Sequence, residues 1–122
     1  MGAPALPLAR TALPAPLQAH LDHLRVERRL AERTLAMYHD ALVRLVGFAT
    51  EAIRELTQVQ PFHVRRWAAQ LHGSGLGARS IAIHLAAWRS LYRHWGRDGL
   101  VRMNPVEGVR APRAAKPRPP HL

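Results

Sequence analysis

The chain has 122 residues, enough for one domain with a single modest core, and 48% of them are apolar. It has no cysteine, which excludes disulfides and thiolate metal sites, and no apolar run approaches the roughly 18 residues of a membrane span. We therefore expect a cytoplasmic protein without membrane contact. Eighteen lysines and arginines stand against eight acidic residues, and this excess of positive charge favours nucleic acid or another polyanion as the partner.

The positive charge is uneven along the chain. Residues 1–50 carry six cationic and four acidic side chains, whereas residues 51–122 carry twelve and four. Arginine forks match phosphate groups bidentately, which favours nucleic acid as the partner. The alternative is a GC-rich genome that places arginine freely on solvated faces.

The predicted helical domain covers residues 14–108 and follows a flexible arm, residues 1–13, that is rich in alanine and proline and has no helical period. A first helix begins near two prolines, which are tolerated in a first turn, and runs to about Arg28. Its apolar stripe consists of Leu17, Leu21, Leu24 and, as a weaker candidate, Val26.

A second helix is predicted from Glu32 to about Thr50. Its core stripe has a clear helical period and consists of Leu35, Tyr38, Leu42, Leu45, Val46 and Ala49. The opposite face carries Arg33, Met37, Asp40, Ala41 and Arg44, and Thr34 lies at the border between the two faces.

Residues 51–60 are ambiguous between a loop and a loop with one helical turn. Pro61 starts a third helix, Phe62 to Leu71, and His72-Gly73-Ser74-Gly75 ends it. Its apolar residues are Phe62, Val64, Trp67, Ala68 and Leu71, and its outward cations are Arg65 and Arg66.

The fourth helix, from Gly77 to Trp95, has the strongest pattern in the chain. Its core stripe is rich in aromatic side chains and consists of Ile81, Leu85, Trp88, Tyr92 and Trp95. A second, slim flank carries Arg79, Ser80, Ile83 and Ala87. This combination suits burial on one side and approach to a polyanion on the other.

After the fourth helix, Leu100, Val101 and Met103 are candidates to pack back on the bundle. Residues 109–122 contain four prolines and four cations without an acid, and we expect an extended basic linker. No stretch alternates with the period of a strand. The predicted fold class is therefore all-α, a bundle of four helices.

The chain has eight histidines but no motif of an active site. No acidic residue completes a recognisable ligand set beside His20 and His23, and the HExxH, Walker and GxSxG patterns are absent. We expect no catalytic residue, no metal and no cofactor.

Two helix faces combine phosphate-binding residues with a slim surface that fits the major groove of DNA. The second helix offers Arg33, Thr34, Met37 and Arg44, and the fourth offers Arg79, Ser80 and Ala87. For each single arginine, a solvated surface charge explains its presence about as well as a DNA contact does.

Two segments resemble the XerC/XerD-like tyrosine recombinases. LRVERRLAERTLAMYHDAL resembles the family's opening, and GLGARSIAIHLAAWRSLYRHWGRDGLVRMNPVEGVRAPR resembles its later motif. The similarity covers residues 17–122 and lies in the joint order of Glu27-Arg28, Thr34, Tyr38, Leu76-Gly77, Ser80, Leu85, Arg89-Ser90, Asn104-Pro105 and Ala111-Pro112-Arg113.

The resemblance implies the amino-terminal, SAM-like, core-binding half of that family, a four-helix domain that clamps one recombination half-site of double-stranded DNA. Its second and fourth helices are expected at the major groove, through Arg79 and Ser80 and, at the border, His84. We extend the predicted contacts to further cations: Arg89, Arg110, Arg113 and Lys116. The family's catalytic half would follow the linker where this chain stops. We therefore expect no DNA cleavage by this chain, and assembly with other recombinase subunits in a synaptic tetramer.

Two positions depart from the family pattern. Ala31 stands where the second helix is usually capped by serine, and losing that oxygen costs about 1 kcal/mol. His84 stands where the family commonly has arginine, so a phosphate contact there would strengthen as the imidazole protonates.

Two alternatives remain. One is a stand-alone helical module that pairs with or regulates a recombinase through protein contacts. The other, less favoured, is a complete enzyme with an unfamiliar site.

Overall fold

The computed structural model describes residues 11–112, which form four α-helices. They are α1 (Ala15–Glu27), α2 (Glu32–Glu51), α3 (Pro61–Gly73) and α4 (Ala78–Arg97). A single 3₁₀ turn, Leu56–Gln58, occupies the segment that the sequence left ambiguous, and no strand occurs within the described range. The all-α prediction is confirmed. Arg113, Lys116 and most of the predicted arm lie outside the described residues.

Local sequence explains where the helices begin. Pro61 occupies the first position of α3, where its missing N–H has no partner to lose. Gln60 and His63 add a reciprocal cap, in which the backbone N–H of Gln60 donates to His63 Nδ1 across 3.0 Å. In contrast, α2 begins after Ala31, which has an extended backbone and no side-chain cap.

Three helices end with the same capping geometry. The third residue after the end of each helix donates its N–H back into the helix: Arg54 to Ala49 (2.9 Å), Leu76 to Leu71 (3.1 Å) and Leu100 to Trp95 (2.9 Å). The residue directly before each of these donors must adopt a positive φ. That residue is Gly75 after α3 and Gly99 after α4, but Ile53 (φ 53°) after α2.

The core forms around α4, which contacts each of the other three helices. The predicted aromatic stripe is buried, with Trp88 and Tyr92 at most 1% exposed. The ring of Trp67 on α3 stacks against Phe48 of α2 and meets Trp88 edge-on, so the aromatics join three helices. No helix in residues 11–112 is long and apolar enough to cross a bilayer.

Several expected core residues are exposed instead. Val26 is 68% exposed because it lies about half a turn around α1 from its neighbour Leu24. Phe62, at the start of α3, packs on the His63 ring and remains 47% exposed. Leu100 and Met103 were wrong as core candidates, since both point to solvent.

Later residues close the core. Val106 and Val109 are buried, although the sequence assigns Val109 to the linker. Arg89 on α4 donates through Nη2 to the Val109 carbonyl (3.1 Å), and the Asn104 side chain donates to the Arg89 carbonyl (3.0 Å). The packed part of the chain therefore continues at least to Val109.

Candidate nucleic-acid interface

The middle of α2 and the first two turns of α4 line one cleft. Because the helices run in opposite directions where they cross, Ala41 lies against Trp88 and Arg44 lies against His84. The cleft between them has a volume of about 120 Å³. It is lined by Met37, Asp40 and Arg44 from α2 and by Ser80, Ile83 and His84 from α4. We call this the α2–α4 cleft.

Four of the residues predicted from sequence meet in the α2–α4 cleft: Met37, Arg44, Ser80 and His84. Arg79 is exposed next to Ser80 in the first turn of α4, where the backbone N–H groups also favour an anion. Arg33 is exposed in the first turn of α2, and Thr34 is half-buried beside it. Residues from both predicted faces therefore meet in one cleft.

His84 differs from its predicted role. The residue is 5% exposed, and both ring nitrogens have partners: Nδ1 lies 2.8 Å from the Ser80 carbonyl and Nε2 lies 2.9 Å from Arg44 Nη1. A carbonyl only accepts and a guanidinium only donates, so Nδ1 carries the proton and Nε2 accepts. The prediction of a phosphate contact at His84 is not supported, because no ring nitrogen is left to make it.

The electrostatics agree with a neutral ring. Burial lowers the pKa of the His84 imidazole; the Ser80 carbonyl raises it, Arg44 lowers it and Asp40 raises it. The guanidinium of Arg44 has no carboxylate partner among the ion pairs of residues 11–112. Its charge is therefore held at the cleft by a neutral acceptor.

Two alanines expected on the DNA-facing sides are buried. Ala41 is fully buried, and its carbonyl accepts the Trp88 indole N–H across 2.7 Å. Ala87 is also fully buried, on the side of α4 that packs inward. The sequence prediction of groove contact for Ala87 was wrong. The outward small residue at this level of α4 is its half-exposed neighbour, Ala86.

Arg89 lies on the other side of α4 from the α2–α4 cleft. Its bond to the Val109 carbonyl ties the C-terminal segment to the bundle. Arg110 follows that segment and is exposed.

A second, larger cleft of about 230 Å³ was missed by the sequence reasoning. Three arginines line it with a hydroxyl and a phenol: Arg28, Arg89, Arg93, Ser90 and Tyr38. Arg28 comes from the α1–α2 connection, so no periodicity in the sequence places it beside α4. This cleft widens the cationic surface beyond the predicted faces.

The histidines within residues 11–112 do not form a metal site. His20, His23 and His94 cluster with ring centroids 5.2–6.5 Å apart, yet no group of histidine, aspartate and glutamate within residues 11–112 is arranged to hold a metal. His20 is bound instead to Ser90 Oγ at 2.9 Å.

Comparison with known proteins identifies the family of the chain. Residues 17–99 match the model of the phage integrase N-terminal SAM-like domain. The chain is similar to tyrosine recombinase XerC 1 of Ralstonia nicotianae (45% identity, 89% of this chain) and to tyrosine recombinase XerC of Ralstonia pickettii (45%, 87%). Tyrosine recombinase XerC of Pseudomonas putida is 36% identical over 84% of the chain.

The chain spans about a third of the length of these relatives, 33–35%. No solved structure matches it significantly. The matched residues include all of α2, α3 and α4, and all of α1 except Ala15 and Pro16. The chain therefore belongs to the phage integrase N-terminal SAM-like domain family, as the amino-terminal domain of a XerC-type tyrosine recombinase.

Proposed function

We propose that this domain binds double-stranded DNA as the core-binding half of a site-specific recombinase, with α2 and α4 facing the major groove. The observation that carries the proposal is the α2–α4 cleft, where residues 40 positions apart converge. It combines a fixed guanidinium (Arg44), a short hydroxyl side chain (Ser80) and an apolar pair (Met37 and Ile83). Guanidinium forks and apolar side chains are the groups that read base edges.

The surroundings of the cleft supply cations for the phosphate backbone. Arg33 is exposed at the start of α2 and Arg79 at the start of α4, and neither is ion-paired within residues 11–112. Phosphate contacts of this kind fix the register of a protein on the duplex, while base contacts specify the sequence. The tail residues Arg110, Arg113 and Lys116 are proposed as further backbone contacts.

Strand cleavage is assigned to another part of the recombinase. Neither tyrosine of this chain suits a nucleophile. The Tyr92 hydroxyl is buried, donates to the Leu56 carbonyl (2.6 Å) and has its pKa raised by burial. Tyr38 lines the second cleft, packed against the bundle. Together with other subunits, the domain would hold one half-site within a synaptic tetramer.

The test is the salt dependence of binding to a duplex recovered by the protein itself from a randomised pool, followed by fluorescence anisotropy. Each neutralised phosphate contributes a slope of about 0.9 in a plot of log affinity against log salt concentration. We expect a steep slope of several units together with a preference for the selected duplex. A weak, salt-insensitive affinity with no selected sequence would overturn the proposal.

A stand-alone protein-interaction module is the second candidate, favoured by apolar side chains on the surface such as Val26, Leu100 and Met103. It predicts capture of a XerC-type recombinase in the absence of DNA, at an affinity that does not change with salt. Changing Val26 and Met103 to serine would then abolish capture and leave DNA binding intact.

A further inference from the structure

We propose that His84 acts as a positioning residue, which holds Arg44 in the α2–α4 cleft so that its guanidinium reads one guanine of the DNA site. The inference rests on the proposed DNA binding and names a residue pair and a base within it. It follows from the His84–Arg44 contact together with the composition of the cleft.

The contact fixes one edge of the guanidinium. His84 accepts one N–H from Nη1 of Arg44, and the Ser80 carbonyl locks the ring in the required tautomer. An arginine side chain has several rotatable bonds, so an unrestrained one loses considerable rotamer freedom when it binds. With one edge already bound, the remaining N–H donors of Arg44 are pre-oriented for a second partner.

The cleft favours a base edge over a phosphate as that partner. Asp40 lines the same cleft, so a phosphate placed there would meet a carboxylate of like charge. A guanine edge is uncharged and offers two acceptors, O6 and N7, which match two donors of one guanidinium. Met37 and Ile83 line the same cleft and offer apolar contacts beside that position.

The ring must remain neutral for this arrangement. A protonated His84 would place an N–H against the cationic Arg44, and both groups would be donors. The charged groups that act on His84 are Arg44 and Asp40, both on α2, and burial adds to the preference for the neutral form.

The experiment uses the selected duplex, with each guanine replaced in turn by 7-deazaguanine, which lacks the N7 acceptor. For the unmodified protein we expect a loss of about tenfold in affinity at one position. Arg44→Lys keeps the charge without the fork, and it should remove that loss while preserving the salt slope.

His84→Phe keeps a flat ring but accepts no hydrogen bond, so it should shrink the 7-deazaguanine effect to about twofold. His84→Gln, which can place an acceptor oxygen near the position of Nε2, should restore most of it. His72→Phe, on the exposed end of α3, is the matched control and should leave the effect unchanged. A full effect in His84→Phe would overturn the inference.

A measurement without DNA separates this inference from the proposed function. Long-range ¹H–¹⁵N spectra report the tautomer of each histidine, and we expect His84 protonated at Nδ1 near neutral pH. Protonation at Nε2 would overturn the positioning role even if DNA binds. Conversely, failure to select any duplex, with the Nδ1–H tautomer present, would contradict the DNA-binding proposal and leave the His84–Arg44 contact intact.

Discussion

Trp88 of α4 donates its indole N–H to the backbone carbonyl of Ala41 on α2 across 2.7 Å, and both residues are completely buried. The bond joins the two helices that form the cleft at the level where they cross. It therefore fixes the separation of α2 and α4, on which the geometry of the α2–α4 cleft depends.

Trp88→Phe should lower the free energy of unfolding by about 1–3 kcal/mol. The shorter ring leaves the Ala41 carbonyl without its side-chain donor and leaves a void beside it. Urea denaturation monitored by circular dichroism measures the change. A loss below about 0.5 kcal/mol would mean that the bond contributes little to joining α2 and α4.

Ala31→Ser should stabilise the domain by about 1 kcal/mol. Ala31 already has the extended backbone of an N-cap (ψ 150°), so a serine oxygen there can accept an N–H from the first turn of α2. The control is Ala36→Ser, at an exposed position inside the same helix, which should be neutral or slightly destabilising. Equal effects of the two substitutions on the urea midpoint would contradict a capping role.

Ile53→Gly should also stabilise the domain, by about 1 kcal/mol. Ile53 is β-branched with a φ of 53°, while the equivalent positions after α3 and α4 are glycines. Its side chain is 91% exposed, so the substitution sacrifices almost no packing. The reverse change, Gly99→Ile, should destabilise by at least as much. Thermal unfolding of both variants checks the pair, and a destabilised Ile53→Gly would show that the side chain makes a contact of its own.

Acidification should destabilise the domain through His20. Burial, together with the nearby His94, His23 and Arg97, lowers the pKa of His20 from 6.5 to about 4. Between these values the unfolded chain binds a proton at His20 and the folded chain does not. Stability is therefore full above pH 6.5 and falls as the pH drops towards 4.

His20→Phe should flatten this decline, because it removes the group that binds a proton in the unfolded chain but not in the folded chain between pH 6.5 and about 4. The matched control is His72→Phe, at the exposed end of α3, which should keep the slope of the unmodified protein. Urea midpoints measured at a series of pH values test both variants. A slope in His20→Phe as steep as in the unmodified protein would assign the pH dependence to other groups, His84 first among them.

Arg79→Ala should weaken DNA binding severalfold and lower the salt slope by about 0.9, the value of one phosphate contact. The control is Arg65→Ala, which removes the same charge from an exposed position on α3. Fluorescence anisotropy with the selected duplex compares the two. If both variants lose affinity equally, the effect comes from net charge and the assignment of the α4 face is wrong.

Much of the helical framework was readable from the chain. Proline at the start of α3 and glycine after α3 and α4 predicted boundaries within about two residues, because these residues restrict or permit particular backbone angles. The apolar period predicted the buried stripe of α4, since residues three and four apart share a helix face. The end of α2 was less clear, because an isoleucine occupies the position that glycine usually fills.

The contents of the cleft were predicted only in part. The sequence named Met37 and Arg44 on the face of the second helix opposite its core stripe and Ser80 on the slim flank of the fourth, and the structure brings these three together. The sequence could not show that Ala86 is half-exposed and Ala87 is buried, because the width of the buried face of a helix depends on how closely a neighbouring helix approaches. Arg89 looked like a free cation until its Val109 partner, 20 residues away, was known.

The amino-acid sequence by itself determined the helices, the aromatic core stripe of α4, the positive charge and the family, because these depend on local backbone preferences and on the order of residues along the chain. Only the tertiary structure decided that His84 faces Arg44. That contact joins residues 40 positions apart on two crossing helices, and burial between them turns a predicted phosphate ligand into a neutral hydrogen-bond acceptor.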